Sequence, residues 1–254
     1  MKIALCLSGQ PRGIPLSCDI LNNFIIGPNK ADGSEVDVFF HTWHDESLVG
    51  QHYDSAQPPQ NGKVGSVKEG TEEILVERLR PTAYVLEPQR EFPEAHTLRA
   101  HPNANQEKLL SMFYSMYTAN DLKKQYEEKN NFIYDCVIRT RIDLAYTHPI
   151  YIKPYESDLN DYLIVSQKFQ AERMSPMPDG STDTLTDIFA FSSSKNMDIF
   201  SSVYLNYANL NAQAVNPLGE TILGCHVIKN NGIKLKLVPM QFEILHRVVD
   251  MESI

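Results

Sequence analysis

No apolar stretch in the 254-residue sequence approaches the ~20 residues that a membrane-spanning helix needs. The amino-terminal run Ile3 to Leu7 also lacks the apolar length and small-residue cleavage site of a signal peptide. A soluble, cytoplasmic protein is therefore expected, in the host cytoplasm if the gene is viral. Cysteine is scarce: Cys6, Cys18, Cys136 and Cys225 are dispersed and form no CxxC pair, which argues against a disulfide framework and against a zinc cluster. Basic charge is in deficit, with 23 Lys and Arg against 32 Asp and Glu and a net charge of −9. That balance weighs against a nucleic-acid-binding module, whose footprint is a basic patch, but not against an enzyme acting on nucleic acid. The GxGxxG fingerprint, the P-loop spacing and the GxSxG elbow are all missing, so a Rossmann dinucleotide site, a P-loop and a serine-hydrolase nucleophile find no support. There is no internal repeat, coiled-coil heptad or low-complexity tract.

What is present suits one large globular domain. The composition is 42% hydrophobic and 22% charged, and a chain of this size buries roughly 75% of its unfolded surface without needing a metal or disulfide. Lys2 to Leu7 reads as a buried strand stopped by the polar turn Ser8-Gly9-Gln10-Pro11-Arg12. Val36 to Phe40 reads as a second strand, Glu72 to Arg80 as a helix closed by Pro81, and Ala83 to Leu86 as a third strand. From Gln106 to Glu128 the residues Leu109, Met112, Phe113, Met116 and Ala119 make a helical stripe. Tyr134 to Ile138 is the next strand. Further strands are expected at Tyr162–Val165, Asp187–Phe191 and Lys234–Val238, with helices over Ser194–Leu210 and Leu218–Asn230. Strands separated by helices imply an α/β fold with a mainly parallel central sheet, whose ligands bind outside the carboxyl ends of the strands. Two polar segments, Gly50–Gly70 and Ser166–Thr186, are long loops, and the second is a candidate lid.

The chemistry-bearing residues sit at those strand ends. If the fourth strand continues, Arg139, Arg141 and Asp143 project from one face at roughly 6.6 Å intervals. Two guanidiniums and a carboxylate suit a diphosphate and a hard divalent cation, whereas a self-neutralising ion network would also explain them. The turn with Ser8, Gly9, Gln10 and Arg12 offers a hydroxyl, an amide and a guanidinium to a nucleobase, ribose or phosphate, or is an ordinary turn. His41 and His44, around the sole tryptophan, Trp43, read as a pocket wall or as packing around that ring. Asp187, at the end of the proposed lid, and Glu220, in the first turn of a helix, are the candidate acid/base carboxylates. Each also has a structural reading, Asp187 as a turn acceptor and Glu220 as a favourable charge at a helix N-terminus.

Taken together and in order, MKIALCLSGQPR, FFHTW, FYSMYTANDLKKQYE, YDCVIRTRIDL, TDIFAFSSSKNMD and PLGETILGCHVIKNNGIKLKLV resemble the sugar-nucleotide glycosyltransferases of bacterial surface-polysaccharide clusters and large phages. The resemblance covers most of the chain except the two long loops. It implies a single type A glycosyltransferase domain over residues 1–254, with a nucleotide-binding half to about residue 145 and an acceptor half from about residue 146. It also implies a Mn²⁺ or Mg²⁺ ion at a short acidic motif on a central strand. Arg139 to Asp143 match that motif by position, with one departure: the usual Asp-x-Asp has become Arg-x-Asp. Asp143 is left as the acidic ligand, with His246 as a distal candidate to complete the shell; alternatively, arginine supplies part of the charge. Leu7, Ser8, Gly9, Gln10, Arg12, Arg139 and Arg141 are then the expected nucleotide and diphosphate contacts.

The expected function is metal-dependent transfer of a sugar from a nucleoside-diphosphate sugar, UDP-sugar by base rate. The acceptor would be a glycan, a lipid-linked glycan or a modified base of phage DNA. The alternatives are a sugar nucleotidyltransferase and a non-catalytic glycan- or nucleotide-binding subunit.

Overall fold

The computed structural model describes residues 1–51, 67–167, 184–214 and 216–245. Its central sheet begins with β1 (Lys2–Gly9), flanked by β2 (Glu35–Trp43) and β4 (Cys136–Arg141), with β3 (Ala83–Glu87) outside β2. These strands are mutually parallel. On the far side of β4 lie β7 (Phe189–Ser192), β6 (Tyr162–Ser166) and β8 (Lys234–Val238), so the order is β3-β2-β1-β4-β7-β6-β8. Only β7 runs against its neighbours β4 and β6. A separate two-stranded ribbon pairs β5 (Leu144–Tyr146) with β9 (Phe242–Ile244). This is the α/β fold with a mainly parallel, helix-flanked sheet that the alternation of strands and helices in the sequence implies.

β1 shows why the sheet is sandwiched. Its side chains alternate between two cores, Ile3, Leu5 and Leu7 into one and Ala4 and Cys6 into the other, as a strand covered on both faces must. The first core is closed by α1 (Leu16–Leu21) and α3 (Thr71–Leu79), beyond the short α2 (Gly27–Ala31); the second is closed by α4 (Gln106–Asn130). In α4 the buried positions Leu110, Phe113, Met116 and Ala119 keep to one face. Farther along that face Lys123 and Glu127 are buried too. The Lys123 ammonium donates to Glu127 Oε2 at 2.9 Å, to Ser194 Oγ at 2.6 Å and to Asp198 Oδ1 at 2.7 Å. Ser194 and Asp198 belong to α5 (Ser194–Ser201), so this ion cluster ties α4 to the second half of the chain.

Several expected elements differ in detail. β2 extends through His41 and Thr42 to Trp43, because their polar atoms are satisfied inside: Thr42 Oγ1 donates to the Gly9 carbonyl at 2.7 Å. The expected helix over 194–210 is three pieces, α5, a 3₁₀ turn over Ser202–Asn206 and α6 (Tyr207–Gln213). The one over 218–230 is α7 (Gly219–Gly224) continued by a π turn. β4 starts later and ends later than expected, and Asp187 lies in a bend before β7 rather than in the strand. All four cysteines are buried and unpaired by disulfide. Among the described residues, no helix is long and apolar enough to cross a membrane.

Candidate functional site

At the carboxyl ends of β1 and β4 lies a cavity of about 490 Å³. Ser8, Gly9, Gln10 and Arg12 from the first turn line it, with Arg139 and Arg141 from β4 and Asp187 from the bend before β7. The parallel register of β1 on β4, which sets Ser8 opposite Arg141, brings these segments together. A mainly parallel sheet places its ligand crevice at this edge. The rest of the lining comes from Trp43, Gln89 and the amino-terminal end of α4, including Glu107, Lys108, Ser111 and Met112. Four cationic side chains and two carboxylates line the cavity, a basic surplus inside a chain whose net charge is −9.

The turn after β1 is fixed from behind. Gly9 sits at φ +109°, a conformation that L side chains rarely adopt, and its N–H donates to Ser115 Oγ at 3.0 Å. Ser115 Oγ lies 2.8 Å from His41 Nδ1, and His41 Nε2 lies 3.0 Å from Glu87 Oε1. His41 is fully buried, and burial holds its pKa below the ordinary imidazole value against the opposing pull of Glu87. The histidine therefore supports the turn from inside the sheet, and the pocket-wall role falls to Trp43. His44 instead pairs with Glu46 at 3.0 Å.

Arg139 is the most unusual group in the site. It is 2% exposed, and its Nη2 donates to Ser8 Oγ at 3.1 Å. Its Nε and Nη1 are buried and have no hydrogen-bonding partner among the described residues. Burial pushes its pKa down to about 10, with the Asp187 carboxylate opposing that fall. Leaving a buried donor unmet costs about 1–3 kcal/mol, more when the group is charged, so an acceptor entering the cavity would relieve that cost.

Arg141 and Asp143 are arranged otherwise than the sequence suggested. β4 stops at Arg141, and Ile142 and Asp143 form a turn, so Asp143 does not continue the strand face. Its carboxylate folds back onto Arg141, accepting from Nε at 2.8 Å and from Nη2 at 2.7 Å. Arg12 Nη1 approaches the same carboxylate at 3.4 Å. Burial opposes the charge on Arg141, but the Asp143 carboxylate outweighs it and holds the pKa above the ordinary value. Asp143 itself is 1% exposed.

Among the described residues, this donor set does not fit a divalent cation. Both Asp143 oxygens face guanidiniums, and no group of three His, Cys, Asp or Glu side chains able to hold a metal occurs among the described residues. Mg²⁺ is usually held by one or two carboxylates together with substrate phosphates and water, so what counts here is that the one carboxylate at the expected position is already engaged by guanidiniums. His246, the expected distal ligand, lies outside the described residues, as do 168–183 of the candidate lid.

The remaining expected contacts divide. Leu7 is fully buried in the first core and does not line the cavity, since alternation along β1 turns its side chain away from Ser8. Glu220 is half-buried in the first turn of α7, where its carbonyl accepts from the Leu185 N–H at 2.9 Å, and it is not among the lining residues. Gln89, Glu107, Lys108 and Ser111 are lining residues that the sequence reading missed. Asn105, whose side chain accepts from the Lys108 N–H at 3.0 Å, is the readable signal, because an N-cap followed by a polar first turn marks a helix end facing solvent or a ligand.

The sequence matches no protein-family model, and it matches no curated protein. Among solved structures, a galactosyltransferase, LgtC, in complex with donor and acceptor sugar analogs, aligns over 92% of this chain and 73% of its own. The identity is 12% and the TM-score 0.39, a likeness that bears on neither activity nor substrate.

Proposed function

We propose that the protein is a glycosyltransferase that binds a nucleoside-diphosphate sugar in the cavity at the ends of β1 and β4. The observation that carries this reading is the buried guanidinium of Arg139, with two unmet donors, in the wall of a cavity that Arg12 and Arg141 also line. A fork of N–H donors in a dry wall matches phosphate oxygens better than any neutral ligand. The sequence resemblance supplies the reaction class. In the transfer, the bond from the anomeric carbon to the donor's phosphate oxygen breaks as the bond to the acceptor oxygen forms. The departing nucleoside diphosphate takes the electron pair, and its growing charge is met by fixed guanidiniums that need no reorganisation. Of the two carboxylates lining the cavity, Asp187, beside Arg139, would receive the acceptor hydroxyl's proton if the displacement inverts.

The test is incubation with a panel of nucleoside-diphosphate sugars and candidate glycan acceptors, followed by detection of released nucleoside diphosphate. Release from at least one donor, lost in Arg139→Met, is the expected result. Tight donor binding with no turnover for any acceptor would reassign the chain as a binding subunit. Neither binding nor release would remove the reading altogether.

A further inference from the structure

We infer that the diphosphate is held by Arg12, Arg139 and Arg141 without a divalent cation, and that Asp143 is a positioning residue for two of these arginines rather than a metal ligand. This inference rests on the donor reading above and concerns how the same site handles charge.

Three observations carry it. Asp143 is buried, and each of its oxygens already accepts from a guanidinium, Oδ1 from Arg141 Nε and Oδ2 from Arg141 Nη2 with Arg12 Nη1 beside it. A cation at this carboxylate would have to displace a two-point ion pair and then sit against the two positive groups it displaced. The second observation is the sign of what is unmet. Among the described residues Arg139 Nε and Nη1 are N–H donors without partners, even with Asp187 in the same lining, and the oxygens of an anion would satisfy them. The third is the span of the arrangement: Arg12 comes from the turn after β1 and Arg141 from the end of β4, and the single carboxylate of Asp143 gathers both. Without that carboxylate the two guanidiniums would repel each other and lose their fixed orientation toward the cavity.

The role of Asp143 is therefore indirect. It contributes no contact to the diphosphate and lowers the reorganisation needed when the phosphates arrive. Arg139, whose fork is not consumed by a protein carboxylate, makes the closest contact, and Arg12 and Arg141 complete the cradle.

Calorimetric titration of the full chain with UDP, GDP, ADP and CDP, each in EDTA and again in MnCl₂, tests this. The expected result is binding of at least one diphosphate with dissociation constants that agree within about threefold in the two buffers. Asp143→Asn, which keeps the shape but removes the charge, should weaken binding about tenfold by the same factor in both buffers. Arg141→Lys, which keeps the charge but loses the fork on Asp143, should weaken it similarly, whereas a purely electrostatic role would leave it unchanged. Binding that appears only with Mn²⁺, or an Asp143→Asn defect confined to the Mn²⁺ buffer, would overturn the inference while leaving the donor reading in place, and would restore Asp143 and His246 as metal ligands. Absence of diphosphate binding in both buffers would overturn both. The wild-type comparison between buffers decides the metal question even if Asp143→Asn fails to fold.

Discussion

Arg139 on β4 reaches Ser8 on β1 with one nitrogen, Nη2 to Oγ at 3.1 Å, and its other two buried nitrogens have no partner among the described residues. The contact ties the two strand ends that build the cavity. The unmet nitrogens should cost stability in the ligand-free protein and, on the proposed function, favour a bound diphosphate, two effects that can be measured separately.

Arg139→Met should stabilise the ligand-free protein and abolish diphosphate binding. Replacing a buried, under-satisfied cation by an apolar chain of similar length removes an unmet desolvation penalty of about 1–3 kcal/mol. In a domain of this size each kcal/mol moves Tm by roughly 2–4 °C. Thermal denaturation is the check: the variant should melt higher than wild type without ligand. Only wild type should gain Tm with nucleoside diphosphate, by the equivalent of about 2.7 kcal/mol at a hundredfold excess over Kd. A variant that melts lower would mean that Arg139 is a structural ion-network residue.

Asp187 and Glu220 should separate in turnover kinetics. Asp187 lines the cavity and Glu220 does not. At saturating donor, Asp187→Asn is expected to lose turnover by roughly a hundredfold with little change in donor affinity, while Glu220→Gln stays near wild type. The reverse ranking would move the base away from the β4–β7 wall.

Mild acid should destabilise the fold through His41. Burial lowers its pKa in the folded protein below the ordinary value of 6.5, so the unfolded chain takes up a proton that the folded one resists. The stability this contributes is fully present above pH 6.5 and is lost as pH falls toward the lowered folded value. His226, also held low by burial, acts in the same direction. Urea unfolding at pH 7.5 and pH 5 should show a loss for wild type and a smaller loss for His41→Gln. An unchanged pH dependence in that variant would assign the effect to other groups.

Lys123→Met should be the most damaging of these substitutions for stability. It removes a buried ammonium that serves Glu127, Ser194 and Asp198 together and leaves the Glu127 carboxylate buried without its cation. Breaking such a pair from one side costs roughly 3–5 kcal/mol, which chemical denaturation reads directly.

The β1 to β4 half of the sheet was readable because its strands are short apolar runs ended by polar turns, the signal that burial on both faces produces. The reach of β2 through His41 and Thr42 was not, because those polar side chains look like loop until Ser115, Glu87 and the Gly9 carbonyl are known to satisfy them. The buried Lys123 was hidden for the same reason, its partners Ser194 and Asp198 lying more than seventy residues away. At the site, residue types and strand ends were legible, and Ser8, Arg12, Arg139, Arg141 and Asp187 do line one cavity. The posture of Asp143 was not legible. The alternation assumed a continuing strand, and the turn at Ile142 and Asp143 folds the carboxylate onto Arg141 instead.

The most direct test of the central claim is a crystal structure of the protein grown with the nucleoside diphosphate that binds best. The account predicts phosphate oxygens within hydrogen-bonding distance of Arg139 Nε and Nη1, in the cavity between the turn after β1 and the end of β4. A diphosphate bound elsewhere, or bound in the cavity with those two nitrogens still unpartnered, would contradict it.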